Sequence, residues 1–303
     1  MPGRIPATAR GTEMDLCCPF HKGGLESHPS FRVNVVTGLS WCNVCKEGWN
    51  LKSLLIALGL SREEAEAEVD GAELSDPNLT EVEIEYLPNV LLSAYRKCPV
   101  GMLRAGFSKE VLQDYEIGWD RINKRIVFPI RDHIGRLVAL QGRNTVGKDL
   151  RYVTYKEELK EVVGHELMHV KVHHFLWGLE RLYATGFYGG LDYLVLVEGI
   201  KKALWLKQFG WDNVVSLNGS YMSDEQQKLI SRLNIDKLVL MLDGDSAGKL
   251  GIARIAGVFG GIIPLAIPAY PEGKTQPDDL SVDELDEMLS AEGRRWQTWE
   301  TLN

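Results

Sequence analysis

Two short runs hold the residues best suited to bind a metal: Cys18-Pro-Phe-His21 and Cys42-Asn-Val-Cys45. In each run two residues separate the donors, so one tight turn can point both at a single ion. Two such turns complete a tetrahedral set for Zn²⁺. Four protein ligands leave no open position, so Cys18, His21, Cys42 and Cys45 make a structural zinc site rather than a catalytic one. Cys17 is the spare, because only Cys18 keeps the two-residue gap to His21. Cys98 has no neighbouring ligand and reads as a core thiol.

A second set of residues is acidic. Glu198-Gly199 directly follows the apolar run Tyr193-Leu-Val-Leu-Val197, and Asp243-Gly-Asp245-Ser-Ala-Gly248 directly follows Lys237-Leu-Val-Leu-Met-Leu242. Carboxylates brought together repel one another unless cations sit among them. Mg²⁺ or Mn²⁺ takes oxygen ligands and bridges carboxylates to phosphates. A pair of such ions can activate an attacking hydroxyl and stabilise a leaving pyrophosphate. The glycines allow sharp turns close to a phosphate.

The elements that must position these acids follow from the same pattern. Buried strands at Tyr193–Val197, Val214–Leu217 and Lys237–Leu242 alternate with helices at Lys201–Phe209, from Ser223-x-x-Gln226 onward, and at Ala247–Phe259. Uninterrupted apolar strands between helices imply a parallel sheet covered on both faces, with function beyond the carboxyl ends of its strands. Around the cysteines, Ser30–Val36 and Leu39–Trp41 read as short strands. They precede an amphipathic helix with Leu51, Leu54, Leu55 and Leu58 on its apolar faces. Ser61-Arg-Glu-Glu64 fits a capping box, and the acidic stretch after it reads as a linker running to about Pro88.

Composition narrows the class. The chain has 303 residues, 45% of them hydrophobic, enough for two domains and a sizeable core. No apolar run reaches the length of a membrane span, and the first residues lack the apolar core of a secretory signal, so the chain reads as cytoplasmic with reduced cysteines. The net charge of −8 argues against a general nucleic-acid binder, but its distribution reverses that. Between Arg121 and Arg151 lie eight Lys or Arg and only two Asp, a local positive surface suited to phosphates.

Taken with Pro29-Ser-Phe31 and the Gly48 that follows Cys45, the cysteine module resembles the Cys-His-Cys-Cys zinc-binding domain of DnaG-type primases. That resemblance implies a role in recognising single-stranded template, for which Lys22, His28, Arg32 and Trp49 are the exposed candidates. The acidic pattern resembles the Toprim domain shared by primases, topoisomerases and some nucleases. It implies Glu198 as catalytic acid and Asp243 and Asp245 as metal-binding acids. A later Asp-Pro-Asp motif of Toprim primases corresponds to Gln276-Pro277-Asp278, which carries Asp278 over as a metal ligand and leaves Gln276 where an acid is expected, unless Asp279 compensates.

Ahead of the acids, Arg104-Ala-Gly-Phe-Ser, Arg125-Ile-Val-Phe-Pro-Ile130 and Gly142-Arg143 are similar to the first part of a primase RNA-polymerase core. By that similarity Arg125, Arg143, Lys148, Arg151 and Lys156 hold template or nucleotide phosphates. The implied organisation is α/β and multidomain: a small β zinc-ribbon module at 1–60, an acidic helix and linker at 61–88, a basic region at 89–190, a Toprim parallel-sheet unit at 191–280 and a short C-terminal helix or tail at 281–303. The implied activity is two-metal synthesis of RNA primers from ribonucleoside triphosphates on single-stranded DNA. A replicative helicase is the partner in trans, and the small size suggests a phage or mobile element.

Two other chemistries compete. A RecR-like recombination mediator also pairs zinc with Toprim but does not catalyse, and a Toprim nuclease uses similar acids. His165-Glu-Leu-Met-His169 matches the helical H-E-x-x-H zinc site of metalloproteases, but the extended motif fails at Lys171 and Val172, so it reads as a decoy.

Overall fold

The computed structural model describes residues 8–10, 13–21, 26, 28–35, 38–71, 84–146, 151–167, 170–184, 191–233, 235–289 and 296–298. The chain opens with an antiparallel five-stranded sheet in sequential order: β1 (Thr8–Arg10), β2 (Glu13–Leu16), β3 (Phe31–Asn34), β4 (Ser40–Cys42) and β5 (Glu47–Trp49). Its core is small: Cys18, Phe31, Cys42 and Leu54 are buried, and the Phe20 and Trp49 rings stack with centroids 4.6 Å apart. So few apolar groups cannot hold a fold alone, which is the usual reason for a metal staple.

Helix α1 (Leu51–Ala57) starts at Asn50, whose side chain accepts from the Ser53 amide. Only Leu54 of its apolar set is buried; Leu58 stays half exposed. Helix α2 (Arg62–Gly71) begins with the expected box, in which the Ser61 amide donates to Glu64 and the Glu64 amide to Ser61 Oγ.

Past a 3-10 turn at Asn89–Tyr95 come α3 (Val100–Arg104) and α4 (Lys109–Asp114). An antiparallel sheet follows, made of β6 (Gly118–Asp120), β7 (Arg125–Arg131), β8 (Leu137–Asn144) and β9 (Tyr152–Thr154). Helices α5 (Glu157–Val163) and α6 (Leu179–Ala184) lead to the second sheet. Strand β7 is buried on both faces. Ile126, Phe128 and Ile130 enter the main core beneath the second sheet, while Val127 enters a smaller core with Leu140, Tyr155 and Leu159. Period-2 alternation between two cores explains a strand without polar interruptions.

The second sheet comprises β10 (Leu194–Val197), β11 (Val214–Ser216), β12 (Leu238–Leu240), β13 (Leu265–Pro268) and β14 (Trp296–Thr298), in the order β11-β10-β12-β13-β14. The first four are parallel and β14 is antiparallel. Helices α7 (Ile200–Lys207), α8 (Asp224–Arg232), α9 (Ser246–Phe259) and α10 (Val282–Leu289) accompany it. Val195, Val197 and Val239 face one core, and Leu194, Leu196, Leu238 and Leu240 face the other, as expected of a sheet covered on both sides.

Among the described residues after 280, the short helix α10 and strand β14 pack onto the rest of the unit. Leu285, Met288 and Leu289 join the main core and β14 extends the sheet. The polar residues in α10 and the short β14 hide this in the sequence. The zinc module meets the sheet's far face: Leu39 enters its core, and Trp41 lies so close to Gly261 that a Cβ there would sit 2.3 Å from the ring.

Candidate zinc centre and acidic cleft

In the first site, the ligand atoms of Cys18, His21, Cys42 and Cys45 all lie within 4.8 Å of one another. Cys18 Sγ is 3.7 Å from Cys45 Sγ, and His21 Nδ1 is 3.2 Å from Cys45 Sγ. β4 and the turn after it present Cys42 and Cys45, and the chain beyond β2 presents Cys18 and His21. Three thiols and an imidazole, largely withdrawn from water and converging on one point, fit zinc. Cys17 turns away and contacts the Glu26 carbonyl.

Glu26 was missed in the sequence. Its carboxylate accepts from His21 Nε2 at 2.7 Å, from the Cys18 amide at 2.6 Å and from Ser30 Oγ at 2.8 Å. Burial alone would raise its pKa, but these hydrogen bonds, led by that of the Cys18 amide, hold it at about 2. A carboxylate on the outer nitrogen of a ligating histidine fixes the ring's orientation and tautomer. No spacing rule finds it, because it depends on how the loop folds back.

The second site lies at the carboxyl edge of the parallel sheet. β10 and β12 are adjacent, so Glu198 and Asp243 meet; Glu198 Oε1 accepts from the Asp243 amide at 3.2 Å. Gly248 is required here, since a Cβ would fall 1.9 Å from the Asp243 carbonyl oxygen. Burial, then the charges of Asp243 and Asp245, raise the Glu198 pKa. Asp245 is exposed and caps α9, accepting from the Gly248 amide at 2.9 Å.

A cavity of about 440 Å³ opens over this edge. Glu198, Asp243 and Asp278 line it together with Arg143, Arg151, Lys201 and Lys202. Strand β8 and the start of β9 thus bring part of the basic region over the acids. Asp278 Oδ1 and Arg143 Nε are buried there with no hydrogen-bond partner, an open invitation to a ligand. The residues therefore fit a divalent ion: carboxylate oxygens crowded in a polar cleft, one of them orphaned.

Other expected residues fall elsewhere. Arg125 pairs with Glu158 at 2.5 Å, bonds Asn144 and sits over the Tyr155 ring, and it does not line the cleft. Lys156 precedes α5, also outside the cleft lining. Lys148 and Lys22 lie outside the described residues. Trp49 is held in the zinc-module core, Arg32 is exposed but pairs with Asp15 at 2.8 Å, and His28 is exposed. Gln276 lines the cleft and donates to Asp279 at 3.1 Å; Asp279 also accepts from the Thr275 amide, so it braces its own turn instead of lining the cleft.

Helix α5 ends at the left-handed Gly164, so His165 is not on a helix; it pairs with Glu85, and Glu166 pairs with Lys160 at 2.7 Å. His169 lies outside the described residues. The helical register that the H-E-x-x-H chemistry needs is absent at His165 and Glu166.

The comparisons agree with this geometry. The Toprim domain model matches residues 192–265. A DNA primase of Deinococcus radiodurans is 28% identical, covering 91% of this chain and 55% of the relative; one of Pseudomonas putida is 25% identical, covering 81% and 44%. The chain spans about half the length of the curated relatives it matches. In fold it is similar to the zinc-binding and RNA-polymerase domains of the Aquifex aeolicus primase (TM-score 0.52, 21% identity, covering 93% of this chain and 79% of that one). It is also similar to the E. coli primase catalytic core (TM-score 0.53, 21% identity, covering 69% and 79%). A Cys-His-Cys-Cys site, a match to the Toprim domain and primase relatives along most of its length make DnaG-type DNA primases the proteins to which this chain is similar.

Proposed function

We propose that the chain synthesises short RNA primers on single-stranded DNA. The observation that carries this reading is the shared cleft, in which Arg143 and Arg151 face Glu198, Asp243 and Asp278. A nucleotidyl transferase needs that pairing of charges. Cations must hold template and triphosphate, and carboxylates must hold the Mg²⁺ or Mn²⁺ that stabilises the transferring phosphoryl group. In the reaction, the 3′-hydroxyl of one ribonucleotide forms a bond to the α-phosphorus of the next, its proton is lost, and the bond to pyrophosphate breaks.

Within this reading Glu198 and Asp278 hold the ion, and Asp243 stands beside them in the same acidic cluster. Arg143 and Arg151 are the phosphate contacts, and Asp245 acts through the turn it caps. Arg125 is a brace for β7 and β8. The Cys18–His21–Cys42–Cys45 site takes Zn²⁺ and keeps the N-terminal module folded for template recognition. A solved DnaG catalytic domain bound to single-stranded DNA supports template binding as a property of this fold (TM-score 0.53, 21% identity, covering 69% of this chain and 77% of that one). A helicase in trans would bring the enzyme to its template.

The test is incubation of the purified chain with labelled ribonucleotides, mixed-sequence single-stranded DNA and Mg²⁺ or Mn²⁺, read on a gel. Template-dependent products of a few nucleotides are expected. Tight DNA binding with no dinucleotide under either metal would replace this reading with the RecR-like binding module.

A further inference from the structure

Lys202 Nζ lies 2.5 Å from each of the two carboxylate oxygens of Asp243, with both side chains largely buried in the cleft wall. Its neighbour Lys201 lies 3.4 Å from Asp278 Oδ2. Both lysines stand in the first turn of α7, just after its cap Gly199, and that turn holds no acid. Cations are unfavourable at this end of a helix, where the backbone dipole presents its positive pole. Carboxylates across the cleft receive both lysines and offset that cost.

Electrostatic accounting sets how many ions the cleft can hold. Among the described residues of the lining, Glu198, Asp243 and Asp278 face Arg143, Arg151, Lys201 and Lys202, so three acids already meet four bases before any metal binds. Gln276, in the same lining, adds no charge. Both oxygens of Asp243 are engaged by one ammonium, and Asp278 Oδ2 is engaged by another. Among the described carboxylates that line the cleft, the oxygens left to an ion are Asp278 Oδ1, buried without a partner, and the Glu198 oxygen that does not accept from the Asp243 amide. That supply suits one divalent ion. A second would have to share Asp243 with an ammonium at contact distance.

We propose that Lys202 is a resident cation of this cleft, holding Asp243 in place of a second divalent ion, so that the cleft takes a single Mg²⁺ or Mn²⁺. This rests on the cleft being the ion site of the proposed function, and it narrows the two-ion expectation drawn from the sequence. Lys202 is then a positioning residue: it orients Asp243 and supplies fixed positive charge beside the phosphates, with no ion to lose.

The experiment counts Mn²⁺ on the full-length, zinc-loaded chain by equilibrium dialysis and electron paramagnetic resonance, without nucleotide. The wild type should bind one Mn²⁺ in the cleft, lost in Glu198→Gln. Lys202→Met, which keeps the stem and removes the charge, should bind a second Mn²⁺ with at least about 10-fold higher affinity than the wild type shows for any second ion. Lys202→Arg should stay at one. Circular dichroism checks that each variant folds, and Lys202→Gln replaces Lys202→Met if the latter does not. Two cleft ions in the wild type, none, or an unchanged count in both charge-removing variants would overturn the proposal. Because the readout is ion binding, a chain that makes no RNA but shows these counts fails the primase reading alone.

Discussion

The zinc centre and the acidic cleft sit in one chain but are built on opposite principles. At the zinc centre four ligands from two short runs converge within 4.8 Å, with Glu26 behind His21. The site is closed, and the small core around it depends on being crosslinked. At the cleft the acids come from the ends of β10 and β12 and from the turn after β13, and four bases are interleaved among them. That site is open, and the folded sheet beneath it is held by large cores on both faces. Damage to the first should therefore be read in folding, and damage to the second in chemistry.

The sharpest break is Cys42→Ser. Wild-type protein should carry about one zinc per chain, and this variant should lose it. The N-terminal module should unfold while the rest keeps its thermal transition, because metal binding and folding are one free energy in such modules. Metal analysis with limited proteolysis checks both. Zinc retained at full stoichiometry would move the site elsewhere.

At the cleft, Asp243→Ala or Glu198→Gln should lower primer synthesis by at least about 100-fold, the scale of losing electrostatic stabilisation of a transferring phosphoryl group. Binding to single-stranded DNA should change little in both, and the thermal midpoint should change little in Glu198→Gln, which leaves the Asp243–Lys202 pair intact; fluorescence anisotropy and calorimetry can read these. A matching loss of stability in Glu198→Gln would mean that the two sites do not differ as described.

Glu26→Gln tests the support of the zinc centre. Losing the charge behind His21 should weaken zinc affinity by about 10- to 100-fold without abolishing it, measured by competition with a chelator. The carboxylate is ionised down to about pH 2 in the folded module and nearer 4.5 in the unfolded chain. Its folded pKa is depressed, so its contribution is complete above the unfolded value and is lost as pH falls through the folded one.

Smaller still, Arg143→Ala should weaken DNA or nucleotide binding and flatten its salt dependence by about one counterion. Synthesis at saturating substrate should fall less than in Asp243→Ala. The smallest effect belongs to Glu166→Gln, which breaks only the exposed pair with Lys160, worth about 1 kcal/mol or less. Primer synthesis should stay within about twofold of wild type. Protease activity that vanished with this substitution would reverse the reading of the H-E-x-x-H run.

Local pattern was enough for several features. Paired ligands two residues apart named Cys18, His21, Cys42 and Cys45, because a short turn is a local geometry. Apolar runs located β10, β11 and β12, and Ser223 with Gln226 marked the start of α8, because burial on two faces and helix capping leave traces in consecutive residues. The acids after β10 and β12 were legible for the same reason.

What the fold alone decided is which distant residues meet. Eight basic residues between 121 and 151 look equivalent in sequence, yet Arg143 and Arg151 reach the cleft while Arg125 is spent on Glu158. The first turn of α7 looks like an ordinary polar helix start until Lys202 is seen on Asp243. Glu26 is one more loop acid until it closes on His21, and β14 is a scrap of tail until it pairs with β13. Each depends on chain segments far apart in sequence. Periodicity and spacing report only how a residue relates to its neighbours along the chain, whereas charge pairing and sheet closure depend on which segments packing brings together.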